Sequence, residues 1–147
     1  MARALDNEAE VLNLLGRNAE ARAAFLRCLD IWAKAGTDAS VVAYGLTGLG
    51  IALIGEGRGG AAIAPLEQAL AKRTATQAPT ELLGETRFAL ARALWTRPAA
   101  RGRALGLARE ARADYAKVKT AAALVATIDA WLAAPAAKSS AVAAGPI

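Results

Sequence analysis

Histidine is absent from these 147 residues, and cysteine occurs once, at Cys28. The first absence removes the commonest general base, the commonest zinc ligand and the side chain that usually changes charge near neutrality. The second excludes an internal disulfide and a thiolate metal cage. Aromatic residues make up only 5%, and β-branched residues are thin and scattered, which leaves little to build a sheet from. No apolar run approaches the roughly 20 residues that a membrane-spanning helix needs; the longest candidate, residues 121–134, is short and carries Asp129. The opening Met1-Ala2-Arg3-Ala4-Leu5-Asp6-Asn7-Glu8 turns acidic at once and lacks the apolar core of a signal peptide. Together these absences predict a cytoplasmic, non-catalytic chain that needs no metal or cofactor and meets no membrane.

What remains is a chain of one domain's length, 55% hydrophobic and rich in alanine, with a net charge of +5. The excess of positive charge is local. Residues 87–119 hold Arg87, Arg92, Arg97, Arg101, Arg103, Arg109, Arg112, Lys117 and Lys119 against only Glu110 and Asp114. Such a stretch either contacts an anionic partner or forms a solvated helical face.

Helical periodicity dominates the pattern. Leu5, Ala9, Leu12 and Leu15 recur every three or four residues and stripe a first helix. Gly16-Arg17 ends it, and Asn18 is the expected cap of a second helix reaching Ala35, striped by Ala21, Phe25, Cys28, Leu29 and Trp32. Further helices are predicted over residues 40–54, from the Gly55–Gly60 turn to Arg73, over 80–95 with Thr80 as cap, over 101–117, and over 120–133. No segment alternates with period two. The residues from 134 to 147 show no periodicity and are expected to be disordered.

These helices repeat. Gly16-Arg17 returns as Gly57-Arg58, and Ala21, Phe25, Cys28 and Leu29 return as Ala62, Leu66, Ala69 and Leu70, both at a shift of 41. Ala104, Ala108 and Ala111 follow at 42. Leu5, Ala9 and Leu12 correspond to Leu46, Gly50 and Leu53, then to Arg87, Ala91 and Leu94. The predicted fold is all-α: a right-handed superhelical stack of about three antiparallel pairs, over 2–36, 39–74 and 80–117, closed by a cap helix at 120–133. One pair cannot hide its own apolar stripe, so stacking is the natural solution.

Leu46, Leu49-Gly50 and Leu53, followed by Ala62, Leu66 and Ala69, resemble the small-and-large pattern of tetratricopeptide repeats in their longer, 41–42-residue form. Residues 84–95 and 108–115 are similar to the last repeat of arrays joined to bacterial serine/threonine protein kinases. No kinase core accompanies them: a glycine-rich loop with a strand lysine, His-Arg-Asp and Asp-Phe-Gly are all missing. Long-repeat arrays often hold a peptide with a Leu-Asn-Asn-Leu run. Here Leu46-Thr47-Gly48-Leu49 and Arg87-Phe88-Ala89-Leu90 stand in its place, so that grip does not carry over.

The resemblance implies a groove lined by the first helix of each unit, here by Tyr44, Thr47, Ile51, Ile54, Glu85, Phe88, Arg92 and Trp95, with Arg3, Asp6, Glu10 and Asn13 extending the strip. It implies a non-catalytic module that binds a protein segment, and Arg92 suggests a segment with an acidic element. The alternatives are a regulatory repeat region of a kinase-like protein and, more distantly, nucleic-acid binding through residues 87–119, where no base-reading or stacking motif accompanies the charge. Trp32 and Trp131 lie on apolar stripes and are expected in the core. Cys28 is expected to face the interior of its pair. Glu8 and Glu10 fall on different helical faces and form no catalytic pair. The glycines from 45 to 60 lack a phosphate-binding fingerprint, so Gly50 is read as a helix-crossing contact.

Overall fold

The computed structural model describes residues 2–134, with side chains from Leu5 onward. The expected tail therefore lies, from residue 135, outside the described residues. Among the described residues seven helices follow one another: α1 (Ala2–Leu14), α2 (Asn18–Ala35), α3 (Ala39–Gly55), α4 (Gly59–Ala75), α5 (Thr80–Leu94), α6 (Arg101–Ala116) and α7 (Ala122–Ala133). A 3₁₀ turn at Pro98–Ala100 precedes α6, and no strand occurs among the described residues. Each helix packs on the next, and α1, α3 and α5 also touch in series. The result is the expected all-α superhelical stack of helix pairs, with α7 laid on the last of them.

The 41-residue period has a backbone cause. At the end of α1 the Arg17 amide donates to the Leu12 carbonyl (2.8 Å) and the Gly16 amide to Asn13 (3.0 Å), with Gly16 at φ 71°. At the end of α3 the Arg58 amide bonds to Leu53 (2.8 Å) and the Gly57 amide to Ile54 (2.9 Å), with Gly57 at φ 74°. Both are the same left-handed helix stop, and a side chain at either glycine would strain it. The third unit replaces this stop with the 3₁₀ turn. That replacement accounts for the spacing of 42.

Two caps differ from expectation. Asn18 is the first residue of α2 and makes no capping bond, and Thr80 opens α5 behind Pro79, again without one. The side-chain cap is instead Asp38, whose carboxylate accepts the Ser40 amide at 2.8 Å and starts α3.

Small residues set the helix spacing. A Cβ on Gly48 would overlap the Phe25 ring, and one on Gly50 would overlap Leu66. Gly50 is thus the crossing contact within the second pair, and Gly48 the seat for α2 of the first. Phe25, Leu66, Leu90 and Ile128 are buried in one continuous core, each contributing about 1.5–3 kcal/mol by leaving water.

The outer side of α1 mixes polar and apolar residues. Asn13 turns inward, and its Nδ2 donates to the Gly48 carbonyl at 3.0 Å. Outward stand Asn7, Val11 and Leu14, one period before Gly48, Ala52 and Gly55, and Leu14 is 74% exposed.

Candidate functional site

The eight expected groove residues stand at helical spacing on α3 and on α5 with its C-cap Trp95, and half of them are buried. Thr47, Ile54, Arg92 and Trp95 are buried. Tyr44, Ile51, Glu85 and Phe88 are half-buried and make up the accessible part. Asp6 and Glu10 of α1 extend it. The Arg3 side chain lies outside the described set.

Thr47 is consumed by a buried relay. Arg73, only 2% exposed, donates from Nη1 to Thr86 Oγ1 at 2.7 Å and to Glu85 Oε2 at 2.9 Å, and also to the Leu82 carbonyl. Thr86 Oγ1 lies 3.0 Å from Thr47 Oγ1, which lies 2.9 Å from the Ala43 carbonyl. An arginine only donates and a carbonyl only accepts. Arg73 therefore donates to Thr86, whose one hydroxyl hydrogen can go to Thr47 Oγ1 or to the Leu82 carbonyl (3.3 Å), while that of Thr47 can go to the Ala43 carbonyl or to Thr86 Oγ1. This relay ties α4 and α5 to α3, and it holds Glu85 at the rim of the face. Sequence reading missed Arg73 and Thr86; the only available signal was two threonines on helix faces otherwise built from alanine, leucine and glycine.

Ile54 is sealed completely in the core. Trp95 and Phe88 are covered from the chain's own C-terminal side. Trp131 of α7 packs edge-on against both, with centroids 5.5 Å from Trp95 and 5.7 Å from Phe88. Arg101 stacks over Trp95 at 4.8 Å, and Arg92 over Phe88 at 6.0 Å. The strip is thus closed at its C-terminal end and accessible around Tyr44, Ile51 and the outer edge of Phe88.

The accessible end is acidic. The Tyr44 hydroxyl donates to Glu10 Oε2 at 2.7 Å. Burial raises the Tyr44 pKa above the ordinary phenol value, and Glu10, Asp6 and Glu85 raise it further, so the phenol stays a neutral donor among three carboxylates. Burial shifts Arg92 the other way, lowering its pKa. The only arginine of the expected strip with a described side chain is thus withdrawn from the surface, while the carboxylates of Asp6, Glu10 and Glu85 remain within reach of solvent. The charge exposed on this face is therefore carboxylate rather than guanidinium.

Much of the arginine-rich stretch is committed internally. Arg87 pairs with Asp114 and with Glu110 (3.3 Å), Arg103 with Glu67, and Arg112 with Asp129 (2.5 Å). With Arg92 buried and Arg101 on Trp95, five of the nine basic side chains of residues 87–119 have intramolecular roles. Cys28 is buried as expected, and burial pushes its thiol up, away from the thiolate. Among the described residues no group of three or more cysteine, aspartate or glutamate side chains is placed to hold a metal, and no helix is long and apolar enough to cross a membrane.

Residues 1–75, just over half of the chain, match the tetratricopeptide repeat family. No curated protein and no solved structure matches the chain significantly. The matched span takes in α1 to α4, the two pairs that share the same glycine stop, and α5 with α6 continues their arrangement. The chain belongs to the tetratricopeptide repeat family.

Proposed function

We propose that this chain is a non-catalytic protein–protein interaction module whose first-helix face holds a partner segment bearing a basic side chain. Family membership supports the interaction role. The basic preference rests on one observation: Tyr44 and Glu10 are joined at 2.7 Å beside Asp6 and Glu85, while Arg92 is buried. A lysine or arginine entering there gains charge-assisted bonds to Glu10 and Glu85, and its neighbouring residue packs on Ile51 and the exposed edge of Phe88. Both side chains are half-buried in the free protein, so little further ordering opposes binding.

Selection from a random peptide library displayed against the folded chain tests this. Enriched sequences are expected to share a lysine or arginine, and Glu10→Lys, an exposed substitution, should lower their affinity by about tenfold or more. Enrichment of acidic sequences, or indifference to Glu10→Lys, would refute the reading.

A further inference from the structure

The second helices of the pairs form the other layer of the stack, and its two seams differ. Between α4 and α6, Glu67 and Arg103 span the gap as a two-pronged ion pair, one prong at 3.0 Å. One period earlier, between α2 and α4, the corresponding residues are Leu26 (Glu67 less 41) and Ala61 (Arg103 less 42). Neither can bridge, and Leu26 is left 46% exposed. The result is a cleft of about 370 Å³ floored by Leu46, Leu49 and Leu53 of α3, with Leu26, Ala61 and Pro65 on its walls.

Its rim is cationic. Arg22 and Arg58 line the cleft, and both reach the same carboxylate, Glu56, at 3.0 and 3.5 Å. Two guanidinium groups sharing one carboxylate leave a net positive charge beside an apolar floor. Pro65 adds an acceptor, since it has no N–H to give the Ala61 carbonyl the donor that residue i+4 normally supplies. The volume sits at the low end of the roughly 300–1,000 Å³ of ligand pockets, room for a few aliphatic side chains.

We infer that the α2–α4 cleft is a second docking site, which takes an amphipathic protein segment inserting leucine-sized side chains between Leu26 and the α3 leucines and setting a carboxylate against Arg22 and Arg58. The floor leucines, spaced i, i+3 and i+7 along α3, match anchors repeated at helical spacing on the partner. The site is independent of the acidic first-helix face and opposite to it in charge preference.

The test is fluorescence anisotropy on the full chain, using a labelled amphipathic peptide with leucines at i, i+4 and i+7 and flanking glutamates. Binding is expected, and it should weaken about tenfold or more when lysines replace the glutamates. Leu26→Glu combined with Ala61→Arg writes the ion pair of the second seam into the first and should also cost about tenfold or more. Arg58→Gln, at an exposed side chain, gives a second variant whose fold is not in question and should weaken binding several-fold. Glu10→Lys should leave this peptide's affinity unchanged, which separates failure here from failure of the first-helix reading. No binding by the wild type, equal binding by the double variant, or equal binding of the lysine peptide overturns the inference. So does sedimentation showing wild-type self-association that the double variant abolishes, since a second copy then fills the cleft.

Discussion

Trp131 stands edge-on to Trp95 at a centroid distance of 5.5 Å and an interplanar angle of 75°. The contact joins the last helix of the stack to the first helix of the third pair, and the same indole meets Phe88 at 88°. Such edge-to-face pairs add about 0.5–1.5 kcal/mol to the area they bury. One side chain of α7 thereby decides how far the strip of α5 is open.

Trp131→Ala should destabilise the chain by about 3–5 kcal/mol, the range for a large aromatic removed from a core. Urea unfolding followed by circular dichroism measures this. Trp95→Ala should also destabilise it, and the double variant should lose about 1 kcal/mol less than the sum of the singles. Strict additivity would contradict the contact.

Thr86→Val removes one of the three acceptors of Arg73 and the hydroxyl that bonds Thr47. With Arg73 buried, the expected loss is about 1–3 kcal/mol. Thr47→Val should cost less, because it leaves the Arg73–Thr86 bond in place. Chemical denaturation of both singles and the double separates the links of the relay.

Gly48→Ala places a methyl group inside the Phe25 ring position and should cost about 1–3 kcal/mol through displaced packing. Phe25→Leu made alongside should recover part of that loss, which a comparison of thermal midpoints will show. Gly60→Ala, where an added Cβ meets nothing within 4 Å, serves as the control and should be neutral or slightly stabilising.

Hydrogen bonding to Arg103 holds the Glu67 carboxyl below the usual glutamate range. The unfolded chain therefore takes up this proton more readily than the folded one. The pair's contribution is complete above the ordinary glutamate pKa of about 4.3 and fades as pH falls through the lower folded value. Both side chains are well exposed, and screening keeps the contribution to about 0.5 kcal/mol. Glu67→Gln should flatten the acid limb of a stability–pH profile by that amount and leave the neutral-to-basic limb parallel to wild type.

The helices were legible because leucine and alanine recur at three and four, and Gly16 and Gly57 mark the same stop. Which residue caps a helix was not legible from residue type alone: Asn18 and Thr80 suit a cap, but Asp38 carries the bond. The helical spacing of Tyr44, Thr47, Ile51 and Ile54 was legible as one stripe of α3. How deep each residue of the stripe lies was not, because packing between neighbouring units decides whether Ile54 or Ile51 reaches water. Burial of Trp95 depended on Trp131, 36 residues further on, and burial of Arg92 depended on packing around the Phe88 ring it stacks over. Partners of that kind, remote in sequence, leave no mark on local periodicity.

Four of the seventeen residues of α3 are glycine, each costing a helix roughly 1 kcal/mol relative to alanine. Cut loose from its neighbours, this segment has no reason to stay coiled. It holds its shape only while Phe25 and Trp32 lean on it from one side and Leu66 from the other. The middle of the array is its least self-sufficient part, so losing either flanking partner should collapse the whole in one cooperative event, not unit by unit.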